Sequence, residues 1–203
     1  LMMEGGIQVN GNGERFSNEH LGYSEQAVAV LKQPDGVAWN IYDQRLHDLG
    51  MGFEDYRNAW NMDAMINAPG IDALANQLDV SAAGLTQTID TVANYTSGEH
   101  SDPFGRDFTT KPTLSAPYYA VKVTGALFHT QGGLLIDTAA RVLRSNNTPL
   151  PNLFAGGGAA CGLSGSSVEG YLSGNGLLSA VVLGRIAGQS AADYCHSTNN
   201  TMI

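Results

Sequence analysis

Between Ser145 and Gly184 the chain carries a single formally charged residue, Glu169, and the stretch from Gly156 to Gly188 holds ten of its 25 glycines. With 25 in 203 residues, glycine is well above its usual share of about 7%. A segment so poor in charge must be buried or lie against something large and uncharged, for which a bound cofactor is the natural candidate. The piece NLFAGGGAACGLSGSSVEGYLSGNGLLSAVVLGRIAG reads as strand, glycine-rich loop and helix, an order that brings backbone close to a ligand without side-chain obstruction. A helix starting around Ser173 to Gly176 directs its free N–H groups and positive dipole end out of that loop. The same composition also suits a close helix–sheet contact that tolerates no Cβ. No GK[ST] follows the loop and no GxGxxG occurs in the chain, so phosphate binding is not its expected task.

The rest of the composition narrows the function classes. At 203 residues, 43% hydrophobic and 14% charged, the chain supports one or two packed domains. Ten Lys and Arg against nineteen Asp and Glu give a net charge of −9, so no basic stripe is available for a nucleic-acid backbone and no nucleic-acid partner is expected. No apolar run approaches the roughly 20 residues of a membrane span, and LMMEGGIQVN lacks the blocks of a signal peptide. The chain reads as soluble and cytoplasmic. Cys161 and Cys195 form neither a disulfide framework nor a metal-ligand cluster, and no metal is expected. The sequons at Asn94, Asn146 and Asn199 are short matches of a kind that chance supplies.

Local patterns predict the elements. Ile7 to Val9 reads as a strand, Asn10 to Gly13 as a tight turn, and Arg15 and Phe16 as its antiparallel return. Ser24 is expected to cap a helix through Ala27, Val28 and Leu31, and Asp43 one containing Leu46 and Leu49. A helix from Asp72 to Leu78 is followed by Ser81, capping a second in which Leu85, Ile89 and Val92 form one stripe. From Tyr118, YYAVKV, ALFHT and GLLID read as strands of a small sheet. Residues 152–155 read as a short buried strand, and Leu177 to about Tyr194 as a buried helix, apolar on most faces near its start.

Four motifs in order, GIQVNGNGERFSNE, SDPFGR at residues 101–106, GALFHTQGGLLID, and LFAGGG followed by GYLSGNGLLSAVVLGRIAG, resemble the fumarate reductase and 3-ketosteroid dehydrogenase flavoprotein family over nearly the whole chain. The resemblance implies an α+β architecture: residues 1–19 and 122–203 as a partial FAD-binding lobe and residues 20–121 as an α+β capping domain, with substrate held between the cap and the flavin. The family's N-terminal dinucleotide-binding unit has no counterpart here. The chain is therefore expected to be the C-terminal part of a longer protein, and a missing segment or partner chain to supply the pyrophosphate half of the FAD site.

The resemblance also implies residue roles. Gly157, Gly158, Asn175, Gly176 and Leu177 fall at cofactor-binding positions, with the N–H groups of Gly176 and Leu177 facing the flavin pyrimidine edge and Asn175 fixing the turn. Gly158 stands where many relatives carry a glutamate. His129 matches a flavin-contacting position, and is otherwise a half-buried histidine bonded to backbone. Dicarboxylate reductases of the family place an arginine at the position of Tyr23, a histidine at that of Phe128 and an arginine in the loop before the GN dipeptide. All three are absent here, and an unpaired buried carboxylate costs several kcal/mol.

A tyrosine at position 23 is instead similar to ketosteroid dehydrogenases, where the phenol exchanges a proton with the carbon beside the one that exchanges hydride. The pairing of Tyr171 with Ser173 resembles the 4-ene-forming branch of those enzymes. A tyrosine pKa of about 10 requires a stabilised phenolate or a relay, for which Ser173 is the candidate. Tyr23 as a plug of the cap hinge and Tyr171 as packing on the flavin are the plainer alternatives. Arg106, and Arg15 paired with Glu19, read as scaffold.

The expected function is thus a flavin-dependent dehydrogenase or reductase acting on a carbon–carbon bond next to a ketone in a small neutral substrate. Dicarboxylate reduction, or a non-catalytic piece that packs on a partner chain, are the alternatives. Protein of this sequence alone should purify colourless, since only the flavin-ring half of a site is encoded; stoichiometric absorbance at about 450 nm, the band of oxidised flavin, would overturn that expectation.

Overall fold

The structure, a computed structural model, describes residues 1–127 and 131–199 and falls into two compact units, Leu1–Ala126 and Leu127–Ile203. His129 lies outside the described residues, as do Phe128 and Thr130.

The first unit is built on a four-stranded sheet of β1 (Ile7–Val9), β2 (Val37–Asp43), β3 (Met65–Ala68) and β4 (Tyr118–Thr124), in the order β1-β2-β4-β3 with every neighbouring pair antiparallel. The register aligns Ile7 with Ile41 and Ile41 with Ala120, all fully buried. Around the sheet lie α1 (Tyr23–Leu31), α2 (Gln44–Gly50), α3 (Glu54–Asn61), α4 (Ile71–Leu78) and α5 (Ala82–Ser97).

The expected α4–α5 pair forms. Ser81 accepts the Gly84 N–H, and Leu85, Ile89 and Val92 turn into the core beside Leu74 and Leu78. Asp43 caps α2 by accepting the Leu46 N–H at 3.1 Å. Ser24 does not cap α1: the helix begins one residue earlier, behind Gly22, whose extended backbone (φ −54°, ψ 146°) takes the cap position without a side-chain bond.

The turn after β1 forms as expected, with Asn10 bonded to Glu14 and Gly13, but Arg15 and Phe16 do not return as a strand. The outer edge of β1 is closed instead by a side chain, because the Glu19 carboxylate accepts the Gln8 N–H at 3.1 Å. Glu19 also holds Arg15 at 2.7 Å and Arg106 at 2.9 Å, while Arg15 reaches Asp102 at 2.7 Å. All four side chains are 5% exposed or less. Arg106 bonds the Gly6 and Met2 carbonyls as well, and both guanidiniums lie over the Phe108 ring. The scaffold reading of Arg15, Glu19 and Arg106 holds, and Asp102 completes it.

Burial by itself raises the pKa of Glu19, but the hydrogen bond and charge of Arg15, the charge of Arg106 and the Gln8 N–H outweigh it and hold the carboxyl below its ordinary value. For Arg15, burial works downward and the bonds and charges of Glu19 and Asp102 override it, so the guanidinium stays charged.

The second unit contains β5 (Arg141–Leu143) paired antiparallel with β6 (Pro149–Phe154), and the long helix α6 (Asn175–Asn199). GLLID joins this unit by single bridges, Leu134 to Ala160 and Ile136 to Val142, rather than as a strand. ALFHT falls partly outside the described residues. The strand around 152–155 exists but is not buried: Leu153 is exposed, and only Ala155 at its end is enclosed. The start of α6 is also not buried, with Leu177 78% and Val181 72% exposed. The physical reason is the same for both. A two-stranded sheet and one helix enclose only a small core, Val142, Ala155 and Ala160 with Ile136, Leu150 and Leu183. Among the described residues, Leu153, Leu177 and Val181 stand outside that core. Among the described residues no helix is long and apolar enough to cross a membrane.

The ion cluster generates a pH prediction. A depressed folded-state pKa contributes stability that is fully present above the unfolded-state value for Glu, about 4.3, and lost as pH falls through the lower folded value. Glu19→Gln should lower the unfolding free energy of the first unit by about 3–5 kcal/mol at pH 7, by leaving buried guanidinium charge uncompensated. It should also flatten the acid limb of stability, as followed by thermal unfolding from pH 7 to 3.

Candidate functional site

The end of β6 meets α6 at two glycines. A Cβ on Gly156 would lie 2.9 Å from Gly184 N and from the Leu183 carbonyl carbon, and one on Gly157 3.2 Å from Ala180 Cα. Gly157 also has φ +58°, a left-handed conformation costly to other residues. These two glycines therefore serve the close helix approach. Gly158 differs, since it is exposed and a Cβ there would meet nothing within 4 Å.

Residues 159–162 then run beside residues 131–134. Leu134 donates to the Ala159 carbonyl at 2.9 Å, Cys161 to the Leu134 carbonyl at 2.9 Å, and Gly162 to the Gln131 carbonyl at 2.8 Å. Gly133 makes this possible, because a Cβ on it would stand 2.4 Å from the Ala160 carbonyl.

The loop that follows closes on the start of α6. Asn175, buried, donates from its carboxamide to the hydroxyl of Ser164, also buried. The first intrahelical bond runs from Leu178 N–H to the Gly174 carbonyl at 2.9 Å, with Gly174 at φ +82°. The N–H groups of Gly176 and Leu177 precede that bond and have no carbonyl within the helix to reach. Space is open above Gly176. Around it Leu172, Leu177 and Leu178 are exposed, Ser173 is exposed, and Tyr171 is half-buried. Glu169 is the sole charge in residues 145–184.

Of the expected site, the second unit carries Gly157, Gly158, Tyr171, Ser173, Asn175, Gly176 and Leu177. Two outward backbone donors on a positive helix end, bordered by leucines, match an apolar planar ring with an electron-rich edge. The absence of any Lys or Arg in residues 145–184 makes the same surface a poor match for a pyrophosphate.

Tyr23 belongs to the first unit, where it is the first residue of α1 and 62% exposed. Its helix is pinned by Gln26, which donates to Gln8 Oε1 at 2.6 Å and accepts from Ser17 at 3.0 Å, while Gln8 donates to Asn40 at 2.7 Å.

Residues 1–177 match the family described as FAD binding domain. The chain belongs to that family. Among its relatives is a probable fumarate reductase of Shewanella frigidimarina, 33% identical over 94% of this chain and 31% of the relative. Among solved structures, the open conformation of a flavocytochrome c3 fumarate reductase superposes with a TM-score of 0.72 at 33% identity, over 95% of this chain and 33% of that one. The 3-ketosteroid Δ1-dehydrogenase of Sterolibacterium denitrificans does so with a TM-score of 0.68 at 30% identity, over 93% and 39%. The chain spans about a third of the length of the curated relatives it matches. The FAD binding domain family accounts for the flavoprotein resemblance and the mixed helix-and-sheet fold.

Ser164 escaped the sequence reading. Its signal was faint: a hydroxyl residue flanked by Leu163 and Gly165, eleven positions before an asparagine that was itself singled out.

The glycine geometry predicts a contrast. Gly156→Ala should destabilise the second unit by about 1–3 kcal/mol through overpacking against α6. Gly158→Ala should change stability by less than about 0.5 kcal/mol. Thermal unfolding of the two variants checks both.

Proposed function

We propose that the full-length protein containing this chain is an FAD-dependent oxidoreductase acting on the carbon–carbon bond next to a ketone in a small neutral substrate of steroid-like or cyclohexenone-like character. The observation that carries this reading is Tyr23, a neutral, exposed phenol on a pinned helix start, at the position where dicarboxylate reductases of the resembling family carry an arginine. The likeness to a 3-ketosteroid dehydrogenase supports it, as does the lack of a basic side chain in residues 145–184.

In this proposal residues 20–121 act as the cap, while 1–19 and 122–203 contribute to the flavin lobe, the first flank being built into the cap sheet as well through β1. The N–H groups of Gly176 and Leu177 would hold the electron-rich edge of the flavin, Gly158 would leave room for it, and Leu172, Leu177 and Leu178 would exclude water. His129 is assigned to flavin contact by the resemblance. Parts of the protein outside this chain hold the pyrophosphate. Bound FAD supplies the two-electron chemistry, taking or giving hydride at one substrate carbon. Tyr23 takes or gives the proton at the adjacent carbon, and Ser173 with Tyr171 orients the ketone and relays that proton, so that one hydride and one proton leave or arrive together.

A second reading, dicarboxylate reduction, is favoured by the probable fumarate reductase at 33% identity; it requires the carboxylate-binding cations to come from outside this chain.

The test is Tyr23→Phe in the full-length protein, assayed on a cyclic enone and on fumarate. Turnover on the enone should fall by about 10²- to 10⁴-fold with flavin content unchanged. Near-normal kcat in the variant, or efficient fumarate reduction by a wild type that ignores neutral ketones, would overturn the proposal.

A further inference from the structure

We infer that Tyr56 and His47 form a proton-coupled redox pair in the first unit, at which an oxidant of the carbonate-radical class takes one electron from the Tyr56 phenol while the phenol proton passes to the His47 imidazole. The inference goes beyond the proposed function and does not rest on it, since neither residue serves a step of the flavin reaction.

Counting protons fixes the direction of the bonds. Tyr42 is fully buried, its hydroxyl lies 2.8 Å from that of Tyr56, and the Tyr56 hydroxyl lies 2.9 Å from His47 Nδ1. Each hydroxyl has one proton to give. A Tyr42 that only accepted would bury an orphan donor at its full desolvation cost, so Tyr42 donates to Tyr56. Tyr56 then gives its own proton to His47 Nδ1, its other hydrogen-bond partner. Nδ1 is therefore the acceptor, and the N–H of the neutral imidazole is on Nε2. Among the described residues Nε2 has no protein partner, and Arg106 Nε is the one sealed side-chain polar atom left unbonded. Nε2 of His47 thus reaches water, although the residue as a whole is only 8% exposed.

This arrangement suits the loss of one electron. A tyrosine that gives up an electron becomes strongly acidic, so its proton must leave at the same time or a high-energy cation results. Burial pushes the Tyr56 phenol above its ordinary value, so no phenolate stands ready and the proton needs an acceptor already in place. His47 Nδ1 is that acceptor. The electron reduces the carbonate radical to carbonate, the Tyr56 O–H bond breaks and an N–H bond forms at Nδ1. Tyr56 is left as a neutral phenoxyl radical that still accepts from Tyr42, and His47 as an imidazolium whose charge water reaches through Nε2. One electron from a reductant such as ascorbate, with the proton returned from Nδ1, restores the pair. The electron also has a path out. The His47 ring stacks on Tyr119 at 4.3 Å and meets Trp60 at 4.7 Å, and Trp60 is half-buried, so an oxidant acts at that ring without entering the core.

The experiment exposes the full-length protein to flash-generated carbonate radical and follows tyrosyl radical by rapid-freeze electron paramagnetic resonance. Tyr56→Phe, His47→Phe and Tyr119→Phe are compared with wild type, each keeping a ring in the cluster. Tyr56→Phe removes the donor and His47→Phe the acceptor, and either should cut the surviving tyrosyl radical by about tenfold, the scale of one lost hydrogen bond. Tyr119→Phe removes a hydroxyl that donates to Gln44 at 2.6 Å instead, and should leave the signal unchanged. In the wild type, radical formation should slow in heavy water, because a proton moves with the electron. A near-wild-type signal in Tyr56→Phe or His47→Phe overturns the pair. An equal loss in Tyr119→Phe also overturns it, by assigning the effect to ring packing. If a variant does not fold, the wild type decides: equal rates in light and heavy water overturn the coupled step. None of these readouts uses substrate turnover, so a failure of the proposed function is told apart from a failure of the pair.

Discussion

Two arginines and two carboxylates, sealed from water beneath Phe108, set the arrangement of the first unit. Arg15 and Glu19 follow β1, whereas Asp102 and Arg106 come from a loop more than eighty residues later. The ion pairs cross between the segments, Arg15 reaching Asp102 and Arg106 reaching Glu19. A buried ionic group gains little net stability once desolvation is counted, but misplacing one member leaves a charge with no compensation. The cluster therefore acts as a registration device. With Arg106 on the Met2 and Gly6 carbonyls and Glu19 on the edge of β1, a single arrangement of the amino-terminal segment satisfies every charge. The sheet pairing of β1 with β2, and through Gln8 and Gln26 the seat of Tyr23, follow from it.

The second unit works by different physics. It has little hydrophobic core of its own and relies on backbone proximity, with Gly156 and Gly157 letting α6 lie directly on the end of β6. That leaves the N–H groups of Gly176 and Leu177 with no carbonyl within the helix to reach, beside the exposed Leu172, Leu177 and Leu178. Residues 145–184, with Glu169 as their single charge, look buried by composition, yet Leu153, Leu172, Leu177 and Val181 are exposed.

What was legible from the residues was local chemistry with strong offsets. Asp43 three residues before Leu46, and Ser81 before the stripe of Leu85, Ile89 and Val92, are caps whose partners lie within one turn, so the sequence alone specified them. Ordered motifs carried the family. The sheet was not legible in the same way. β2 and β3 owe their partners to β4, at long sequence separation, and the expected return strand after β1 was displaced by Glu19, a competition decided by Asp102 and Arg106 far along the chain. Burial at Leu153 and Leu177 was misread because composition reports what a segment can be packed against, and not whether this chain supplies it. The bond from Asn175 to Ser164 was not legible because it joins residues eleven positions apart and exists only once the loop has closed.

The strand order has a consequence for how the molecule comes to be made. β4 lies between β2 and β3 although it is the last of the four to leave the ribosome. Until residue 124 has emerged, β3 has no neighbour and β2 has only the three residues of β1 to pair with. From the synthesis of Ala68 until β4 follows some fifty residues later, the nascent chain must carry the unpaired edges of β2 and β3, and a sheet closed by its most distant segment pays the loop-closure entropy before that pairing is returned. Vectorial synthesis thus places the greatest exposure to mispairing immediately before β4 arrives, which makes the short length of β1 and β3 a protection against edge-to-edge association in that interval.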